Sequence, residues 1–382
     1  MLKKILILSF RNPFNYGAEL QVFSLGKKLR MLGYDAEVLN LARPSFDIDA
    51  KPSKLLKMSY NDTFKARWKE KIRFCKRRLF WALNHKRSAL KKRNSNEFHA
   101  RYNCFTKHRY RNFDELYVAD LGYTHYIVGS DQVWNFEYPF SLDPYFLSFV
   151  KNGKKIAYAA SIGHSELPES QKEYYRKHLQ SFDTISMREL QGSAIVSELL
   201  GKPVETMLDP TILITPEEWC EIFNIEDKPN DSIVVYLRSY RPYTIQLAKE
   251  MARRHGIKKI VYICSEVTYA FKDPEVDYRF DVSAPEFVSL FANASFVITN
   301  SFHGTAFAVN LGRRFFTVVN DRMKTSSRFY SLLEQTGLLD RICKEGTPLE
   351  TVVDNTIRHE DVRAKTDALR ATSIKFLQDA LC

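Results

Sequence analysis

The sequence predicts an α/β protein with two halves, each rich in βαβ units and built on a parallel sheet. Short apolar runs such as residues 3–9 and 232–237 alternate with segments of helical apolar spacing. Continuous apolar runs of this length are typical of strands buried on both faces of a parallel sheet. A chain of 382 residues is long enough for two or three domains. We predict an N-terminal domain over 1–228 and a C-terminal domain over 229–382.

The first half opens as a βαβ unit. A strand at 3–9 precedes a helical pattern at 18–32, whose apolar members lie mainly on one side and which Gly33 ends. A second strand follows at 35–41, which implies a right-handed crossover. Later elements of this half are strands at 126–128, 155–160 and 183–187 and helices at 166–181 and 188–200.

The second half repeats the alternation. Ser283 and Glu286 form a capping-box pattern that predicts a helix start, and Thr215 with Glu218 does the same near the junction of the halves. Apolar spacing at the end of the chain predicts an amphipathic C-terminal helix. The other predicted elements are strands at 232–237, 259–264, 295–299 and 315–319 and helices at 243–255 and 305–311.

The positive charge of the chain is concentrated in one segment. Residues 51–111 contain 20 Lys and Arg against 3 Asp and Glu, a net charge of +17, while the whole chain has +12. We interpret about 45–115 as a basic helical insertion that attracts phosphates of nucleic acid, anionic lipid headgroups or lipid-linked substrates. Its aromatic residues, such as Phe64 and Trp68, recur at helical spacing, which favours an inward apolar face over nucleic-acid contact.

Several classes of protein are excluded by the sequence. No run approaches the roughly 18 apolar residues of a membrane span. The N-terminus lacks the apolar length and cleavage site of a signal peptide, so we expect a cytoplasmic protein. The six cysteines have neither zinc-site nor disulfide-framework spacing, so we expect reduced thiols and no metal.

Four polar loops follow predicted strands, where open α/β sheets bind ligands. In the first, Asn15 and Gly17 stand at a helix start that offers backbone N–H groups to an anion, or form only a tight turn. In the second, Asp131 beside Ser130 is a base or sugar ligand, and Trp134 is a sugar-stacking ring; the alternative is a capping aspartate with a core tryptophan.

The third and fourth loops carry a cation and a histidine. Arg188 ends a strand and suits a carboxylate or phosphate, or pairs with Glu189 on the surface. Asp209, before a proline, is interpreted as a turn or cap residue. His303 stands at a helix start, where a phosphate binds and an imidazole transfers protons. Its loop has the candidate binding residues Asn300, Ser301, Phe302, Gly304 and Thr305.

These loops, in this order, resemble the polysaccharide pyruvyl transferase family. The resemblance rests on segments with the sequences NYGAELQ, VGSDQVWN, AASIG, SMRE, LDPT and TNSFHGTAF, which span nearly the whole chain. It implies a two-domain fold like that of GT-B glycosyltransferases, with facing Rossmann-like halves and a cleft between them. It also implies transfer of a pyruvyl group from phosphoenolpyruvate to a sugar, usually as a ketal across two hydroxyls, with release of phosphate and no organic cofactor.

Residue by residue, the resemblance matches His303 to the family histidine at the donor site and Arg188 to the arginine after the short strand. Many members carry an arginine two positions before the histidine, where this chain has Ser301. We predict that Arg328 supplies the missing positive charge, with Arg238 and Arg314 as further candidates. In this interpretation His303, Arg188 and Asp131 are catalytic.

Two other functions remain open at this point. A nucleotide-sugar glycosyltransferase of the same architecture would use the same cleft, because fold does not fix function. A non-catalytic glycan- or lipid-binding protein would use the cleft and the basic segment. For a bacterial pyruvyl transferase of exopolysaccharide biosynthesis, the expected partners are phosphoenolpyruvate, a sugar acceptor that is lipid-linked, and the anionic inner face of the cell membrane, but not nucleic acid.

Overall fold

The computed structural model describes residues 3–12, 14–42, 85–102, 104–138, 140–226, 228–238, 240–264, 273–320 and 327–382. These residues form two six-stranded sheets in which every strand pair is parallel. The predicted α/β class with two facing Rossmann-like halves is therefore confirmed. The predicted domain boundary near residue 228 falls between the last helix before the second sheet and that sheet's first strand, and it stays a prediction.

The first sheet has the strand order β2-β1-β3-β4-β5-β6. Its strands are β1 (Lys4–Leu8), β2 (Asp35–Val38), β3 (His125–Gly129), β4 (Lys154–Ala160), β5 (Thr184–Met187) and β6 (Glu205–Thr206). The associated helices are α1 (Tyr16–Met31), α2 (His85–Tyr102), α3 (Asp114–Val118), α4 (Glu169–Leu179), α5 (Leu190–Leu200), α6 (Pro210–Leu213) and α7 (Pro216–Phe223). The continuous apolar runs that predicted β1 and β3 are buried on both faces.

The second sheet has the order β12-β11-β10-β7-β8-β9. Its strands are β7 (Asn230–Leu237), β8 (Lys259–Cys264), β9 (Val276–Arg279), β10 (Ala294–Thr299), β11 (Arg314–Val319) and β12 (Ile342–Lys344). Its helices are α8 (Pro242–His255), α9 (Ala284–Asn293), α10 (Phe302–Asn310), α11 (Ser327–Thr336) and α12 (His359–Ala380). Read from the other edge, this is the strand order of a Rossmann fold.

The topology fixes where a ligand site belongs in each sheet. The chain direction across the sheet reverses between β1 and β3 in the first half and between β7 and β10 in the second. Loops diverge at such switch points and leave a crevice beyond the carboxyl ends of the strands. The loops after β1, β3 and β10, which the sequence analysis singled out, lie at these positions.

Helix α1 is buried around most of its circumference, whereas the sequence pattern predicted one apolar side. Its N-terminal residues pack into the second half, where Tyr16 stacks on Phe287 with ring centroids 4.8 Å apart and donates a hydrogen bond to the carbonyl of Val282. Its other side packs on the first sheet through Val22 and Leu25. The helix is therefore enclosed by both halves, so even its polar residues are buried.

The C-terminal helix α12 returns to the first half of the molecule. Phe376 and Leu377 join the apolar cluster that contains β1 residues Ile5 and Ile7. The Ser373 hydroxyl accepts a hydrogen bond from the backbone N–H of Leu208 at 3.1 Å. The predicted amphipathic helix is confirmed, and its apolar face covers the first sheet.

Other elements differ from the sequence prediction mainly at their ends. Helix α10 begins at Phe302, three residues earlier than predicted, because the Ser301 hydroxyl accepts the N–H of Gly304 and caps it. The capping box of Thr215 and Glu218 is complete. At Ser283 only the serine half forms, because Glu286 pairs with Arg279 instead. The short strands β6, β9 and β12, which have no apolar run, and the helices α3, α6 and α11 are absent from the prediction.

The basic insertion is described only from residue 85 onward. There the predicted helix is confirmed as α2, which bridges the two halves. Its Phe98 packs edge-to-face on Phe23 of α1, and its Asn94 donates a hydrogen bond to the carbonyl of Asp281 at 2.7 Å. The predicted apolar positions Phe64 and Trp68 lie outside the described residues.

Candidate active site

The center of the candidate site is the guanidinium group of Arg188. This residue follows β5 directly, and its backbone N–H donates to the carbonyl of Ala160 at 2.9 Å, which fixes its position beside β4. The residue is only 4% exposed. Its Nη1 donates to Asp209 Oδ2 at 2.9 Å, and its guanidinium carbon lies 4.4 Å from the center of the Phe302 ring. An arginine and a phenylalanine from different halves therefore meet in the cleft.

Asp209 joins most of the site's polar groups. Its Oδ1 accepts from the backbone N–H and the hydroxyl of Thr211 at 3.0 and 2.8 Å, so the predicted capping role is confirmed. Its Oδ2 accepts from the Ser130 hydroxyl at 2.8 Å and from Arg188. Burial alone would raise the pKa of Asp209, but His303 and Arg188 outweigh it and hold the pKa far below its usual range. Asp209 is therefore an ionised carboxylate at the site.

His303 reaches this carboxylate from the second half. It lies in the first turn of α10 and is 5% exposed. Its Nε2 is 3.4 Å from Asp209 Oδ2, an ion-pair distance. The imidazole ring also contacts the ring of Phe302, with centroids 5.3 Å apart. The structure thus brings the predicted histidine and arginine to the same carboxylate.

Gly17 is required by the position of His303. A Cβ atom built on Gly17 would lie 2.2 Å from His303 Nδ1 and 2.3 Å from Cγ. No real Cβ makes contacts this short, so a side chain at this position would displace the imidazole. The predicted glycine at the start of α1 therefore acts by allowing close approach of a histidine from the other half.

Ser130 and Asp131 sit in the tight turn that ends β3. Both have positive φ angles, +22° and +63°, which are unfavourable for residues with side chains and recur at functional sites. Asp131 Oδ1 accepts the N–H of Gln132 at 2.8 Å and lies 3.8 Å from Arg188 Nη2. Burial alone would raise the pKa of Asp131, but Arg188 and His303 outweigh it and lower the pKa.

Arg328 also lies at this site, as predicted from the serine at position 301. It comes from α11, and its guanidinium carbon is 5.7 Å from the center of the Phe302 ring that Arg188 also contacts. Burial and, next, the positive charge of Arg188 lower the pKa of Arg328 to about 10. Leu190 at the start of α5 donates its N–H to the Ser331 hydroxyl of α11 at 3.0 Å, which joins the helix that carries Arg328 to the helix that begins two residues after Arg188.

Asp209, Glu189 and Gln132 line the site, although the sequence analysis gave none of them a role there. Glu189 is fully buried, and its Oε1 accepts from the Ser161 hydroxyl at 2.8 Å. Its Oε2 lies 3.9 Å from Arg188 Nε, so the alternative Arg–Glu pair forms, but in the interior and not on the surface. Gln132 lies against Gly163, where a Cβ would be 2.4 Å from its amide nitrogen. All three stand inside the segments that carry the family resemblance, and this was the available signal.

Several predicted binding residues shape the loops instead of lining the center. The Asn300 side chain accepts the backbone N–H of Arg238 at 2.7 Å, which links the loops after β10 and β7. Gly304 allows close packing on Thr299, and the Thr305 hydroxyl bonds to that of Thr317 at 2.8 Å. Arg238 is exposed at the end of β7. Asn15 precedes α1 and makes no side-chain capping hydrogen bond.

Trp134 is a core residue, which corrects its prediction as a sugar-stacking ring. It is fully buried, stacks on Phe146 with centroids 5.3 Å apart, and donates its indole N–H to the carbonyl of Tyr145. Arg314 does not lie at the site either, so its prediction as a further candidate for the missing charge is wrong. It is the first residue of β11, at the amino end of the strand, and it pairs with Asp354.

A comparison with protein families identifies the family of this chain. The family model described as polysaccharide pyruvyl transferase matches residues 15–322. This chain belongs to the polysaccharide pyruvyl transferase family. The match includes Gly17, Asp131, Arg188, Asp209 and His303, and the family assignment makes the chain a transferase that acts on a polysaccharide or its precursors. No curated protein is significantly similar to this chain.

Solved structures of similar shape include sugar-nucleotide enzymes and a glycosyltransferase. The UDP-GlcNAc 2-epimerase of Neisseria meningitidis is 8% identical over 100% of this chain and 99% of its own, with a TM-score of 0.49. That of Rickettsia bellii is 10% identical over 100% and 97%, with a TM-score of 0.48. The glycosyltransferase SnogD of Streptomyces nogalater is 11% identical over 100% of both chains, with a TM-score of 0.44. Nothing about the substrate of this family member follows from similarities of this size.

Two further properties concern the described residues. None of their helices is both long and apolar enough to cross a membrane. No group of three or more His, Cys, Asp or Glu side chains in the described ranges is arranged to hold a metal ion. The expectation that the reaction needs neither metal nor organic cofactor stays a prediction.

Proposed function

We propose that this family member transfers the pyruvyl group of phosphoenolpyruvate to two hydroxyls of a sugar, forms a cyclic ketal and releases phosphate. One observation carries the proposal: two arginines from opposite halves, Arg188 and Arg328, meet on the Phe302 ring beside His303. Phosphoenolpyruvate has a carboxylate and a phosphate, which are the groups that guanidinium binds with two parallel hydrogen bonds.

Arg188 has hydrogen-bonding capacity left for such an anion. Its Nη1 is engaged by Asp209, but its buried Nε and Nη2 form no hydrogen bond within the described residues. A buried charged donor without a hydrogen bond costs roughly 1–3 kcal/mol or more, and a bound anion recovers this free energy. Arg328 lies nearby, and burial and, next, the charge of Arg188 lower its pKa. A bound anion would be favoured here because it would screen the repulsion between the two guanidinium groups.

The residue types suit ketal formation from an enol phosphate. His303, as the imidazolium, gives its proton to the methylene carbon, where a C–H bond forms from the electron pair of the C=C bond. The first sugar hydroxyl attacks the carbon that becomes electron-poor, and its proton passes to the Asp131 carboxylate. The C–O bond to phosphate then breaks, its electron pair leaves on phosphate, and the Asp131 carboxyl returns its proton to the leaving phosphate. The second hydroxyl attacks, and its proton returns to His303.

The class of acceptor and the cellular location of the reaction are also proposals. We infer that the acceptor is a precursor of a cell-surface or exopolysaccharide in a bacterium and that it is carried on a lipid diphosphate at the inner face of the cell membrane. The family assignment to polysaccharides and the basic segment support this. The chain would then act in the cytoplasm.

Phosphate release tests the proposal. The purified chain is incubated with phosphoenolpyruvate and a panel of lipid-linked and nucleotide-linked sugars, and acceptor-dependent phosphate is measured. His303→Ala should lower the rate by about 10²–10⁴-fold, the usual contribution of a general acid. Arg363→Ala, at an exposed arginine of α12 paired with Glu217, is the matched control and should keep full activity.

Other outcomes identify the alternative functions. Release of nucleoside diphosphate from a sugar nucleotide would identify a glycosyltransferase. Acceptor binding without turnover, unchanged in His303→Ala, would identify a glycan-binding protein. Either result would overturn the proposal.

A further inference from the structure

We propose that Asp209 is a positioning residue: its carboxylate faces Nε2 of His303, sets the orientation of the imidazole and keeps the hydrogen of the neutral ring on Nε2. This inference rests on the proposed function for its catalytic consequence. It concerns a residue of the first half that sets the orientation of a side chain in the second half, and three features of the site support it.

The first feature is the fixed carboxylate. Asp209 is 2% exposed, and each of its oxygens has partners that hold the plane of the carboxyl group. Thr211 binds Oδ1 twice, while Ser130 and Arg188 bind Oδ2 at 2.8 and 2.9 Å. The carboxylate cannot rotate without breaking several hydrogen bonds, so it is a rigid reference point for the imidazole.

The second feature is the position of the imidazole relative to this carboxylate. Nε2 lies 3.4 Å from Oδ2, and in the described residues this buried nitrogen has no hydrogen bond. A nitrogen that faces an ionised carboxylate keeps a proton, because N–H is the form that the negative charge attracts. Catalytic hydrogen bonds are often long before substrate binds and shorten in the complex. Nε2 is therefore the nitrogen that faces Asp209, and we expect this contact to shorten into a hydrogen bond when substrate binds.

The third feature is the packing of α1 against the other side of the ring. A Cβ on Gly17 would stand 2.2 Å from Nδ1 and 2.3 Å from Cγ, so the bare backbone of Gly17 lies against this edge of the imidazole. Asp209 on the Nε2 side and Gly17 on the Nδ1 side therefore leave the ring little freedom to turn, and the carboxylate decides which nitrogen of the neutral ring keeps the hydrogen.

Nitrogen NMR of the full chain labelled at histidine tests the inference without any turnover. The His303 signals are assigned by their loss in His303→Gln. We expect the neutral wild-type ring to carry its hydrogen on Nε2, and Asp209→Asn to weaken this preference. A wild-type ring with its hydrogen on Nδ1 would overturn the inference, whatever the donor substrate proves to be.

Kinetics provide the second readout. Asp209→Asn keeps the shape of the side chain and should lower kcat by about 10²–10⁴-fold, since loss of the carboxylate in a comparable His–Asp pair costs about 10⁴. Asp379→Asn makes the same change at an exposed aspartate of α12 that pairs with Lys375, and it should change kcat less than threefold. Thermal unfolding of both variants separates misfolding from loss of orientation. Equal kcat in wild type and a folded Asp209→Asn would overturn the positioning role, whereas no phosphate release by wild type would fail only the proposed function.

Discussion

Arg328 lies beside Arg188 although the loop of His303 has no arginine of its own. Ser301 occupies the position where the resemblance expects an arginine, and the structure uses it as the N-cap of α10. Arg328 comes from another helix, α11, to the Phe302 ring that Arg188 also contacts. Its proposed role as the replacement for the missing arginine stays a prediction.

Replacing Arg328 with alanine should weaken binding of phosphoenolpyruvate by about 10–100-fold, because a charge-assisted hydrogen bond contributes roughly 1.5–3 kcal/mol. Isothermal titration of the donor measures this directly. Arg363→Ala provides the control for removal of an arginine charge far from the cleft. Donor affinity that is the same in Arg328→Ala and in wild type would show that Arg328 does not bind the donor.

Helix α1 is the element that packs directly against His303. It contains two glycines with opposite surroundings. A Cβ on Gly17 would collide with His303 at 2.2 Å, whereas a Cβ on Gly26 would meet the flexible end of Arg30 at 3.1 Å and methyl groups at 3.6 Å. Gly17 is therefore needed to accommodate His303, whereas an alanine at position 26 would require only a small movement of the Arg30 side chain.

Gly17→Ala should keep the fold but displace the imidazole of His303. Since a displacement of about 1 Å can cost about 10²-fold, we expect phosphate release to slow by at least that factor. Gly26→Ala in the same helix is the matched control, because alanine is up to about 1 kcal/mol more favourable than glycine in a helix interior. Its activity should be unchanged and its melting temperature equal or higher. An active Gly17→Ala variant would show that the close approach of α1 to His303 is not needed for turnover.

At the scale of the whole molecule, the two halves are tied together by segments that cross between them. Helix α1 packs into the second half, α2 bridges both, and α12 returns from the second half to the first sheet. The buried pair of Lys28 in α1 and Glu218 in α7, with an Nζ–Oε2 distance of 2.7 Å, fixes α1 further. The active site needs residues of both halves, so these crossings maintain its geometry.

Leu377→Ala tests the contribution of α12. Leu377 is fully buried against β1 residues, and truncation of a buried leucine costs about 2–5 kcal/mol. In denaturant unfolding followed by a probe in the first half, we expect the free energy of unfolding to fall by this amount. Lys375→Ala, at an exposed position of the same helix, should leave the midpoint unchanged. An unchanged midpoint for Leu377→Ala would mean that the first half does not depend on α12.

The basic segment leads to a prediction of membrane association. In α2, Lys86, Arg87 and Arg101 are exposed, and the rest of the segment from 51 to 84 has further basic residues. Each Lys or Arg near an anionic bilayer contributes about 1 kcal/mol, and salt screens the attraction. We expect co-sedimentation with anionic vesicles at low salt but not at about 1 M salt. Equal binding to neutral vesicles, or none to either at low salt, would refute the membrane role.

The sequence by itself determined the elements and the loops of the site. Apolar runs of strand length identified β1, β7 and β10, because a strand buried on both faces has no polar position to spare. The ordered motifs predicted Arg188 and His303 as site residues, and the serine at position 301 led to the prediction of Arg328 as the substitute cation. These signals are local in the chain, so they could be read without a structure.

Only the tertiary structure decided which polar residues meet. Asp209 was correctly predicted as a cap from its own segment, but its second oxygen faces Ser130, Arg188 and His303, which lie far from it in sequence. The local sequence around Trp134 does not distinguish a core tryptophan from one that stacks on a ligand. Its burial depends on contacts with Phe146 and Tyr145. Contacts between distant segments follow from the packing of the two halves, and no local pattern encodes which atoms that packing brings together.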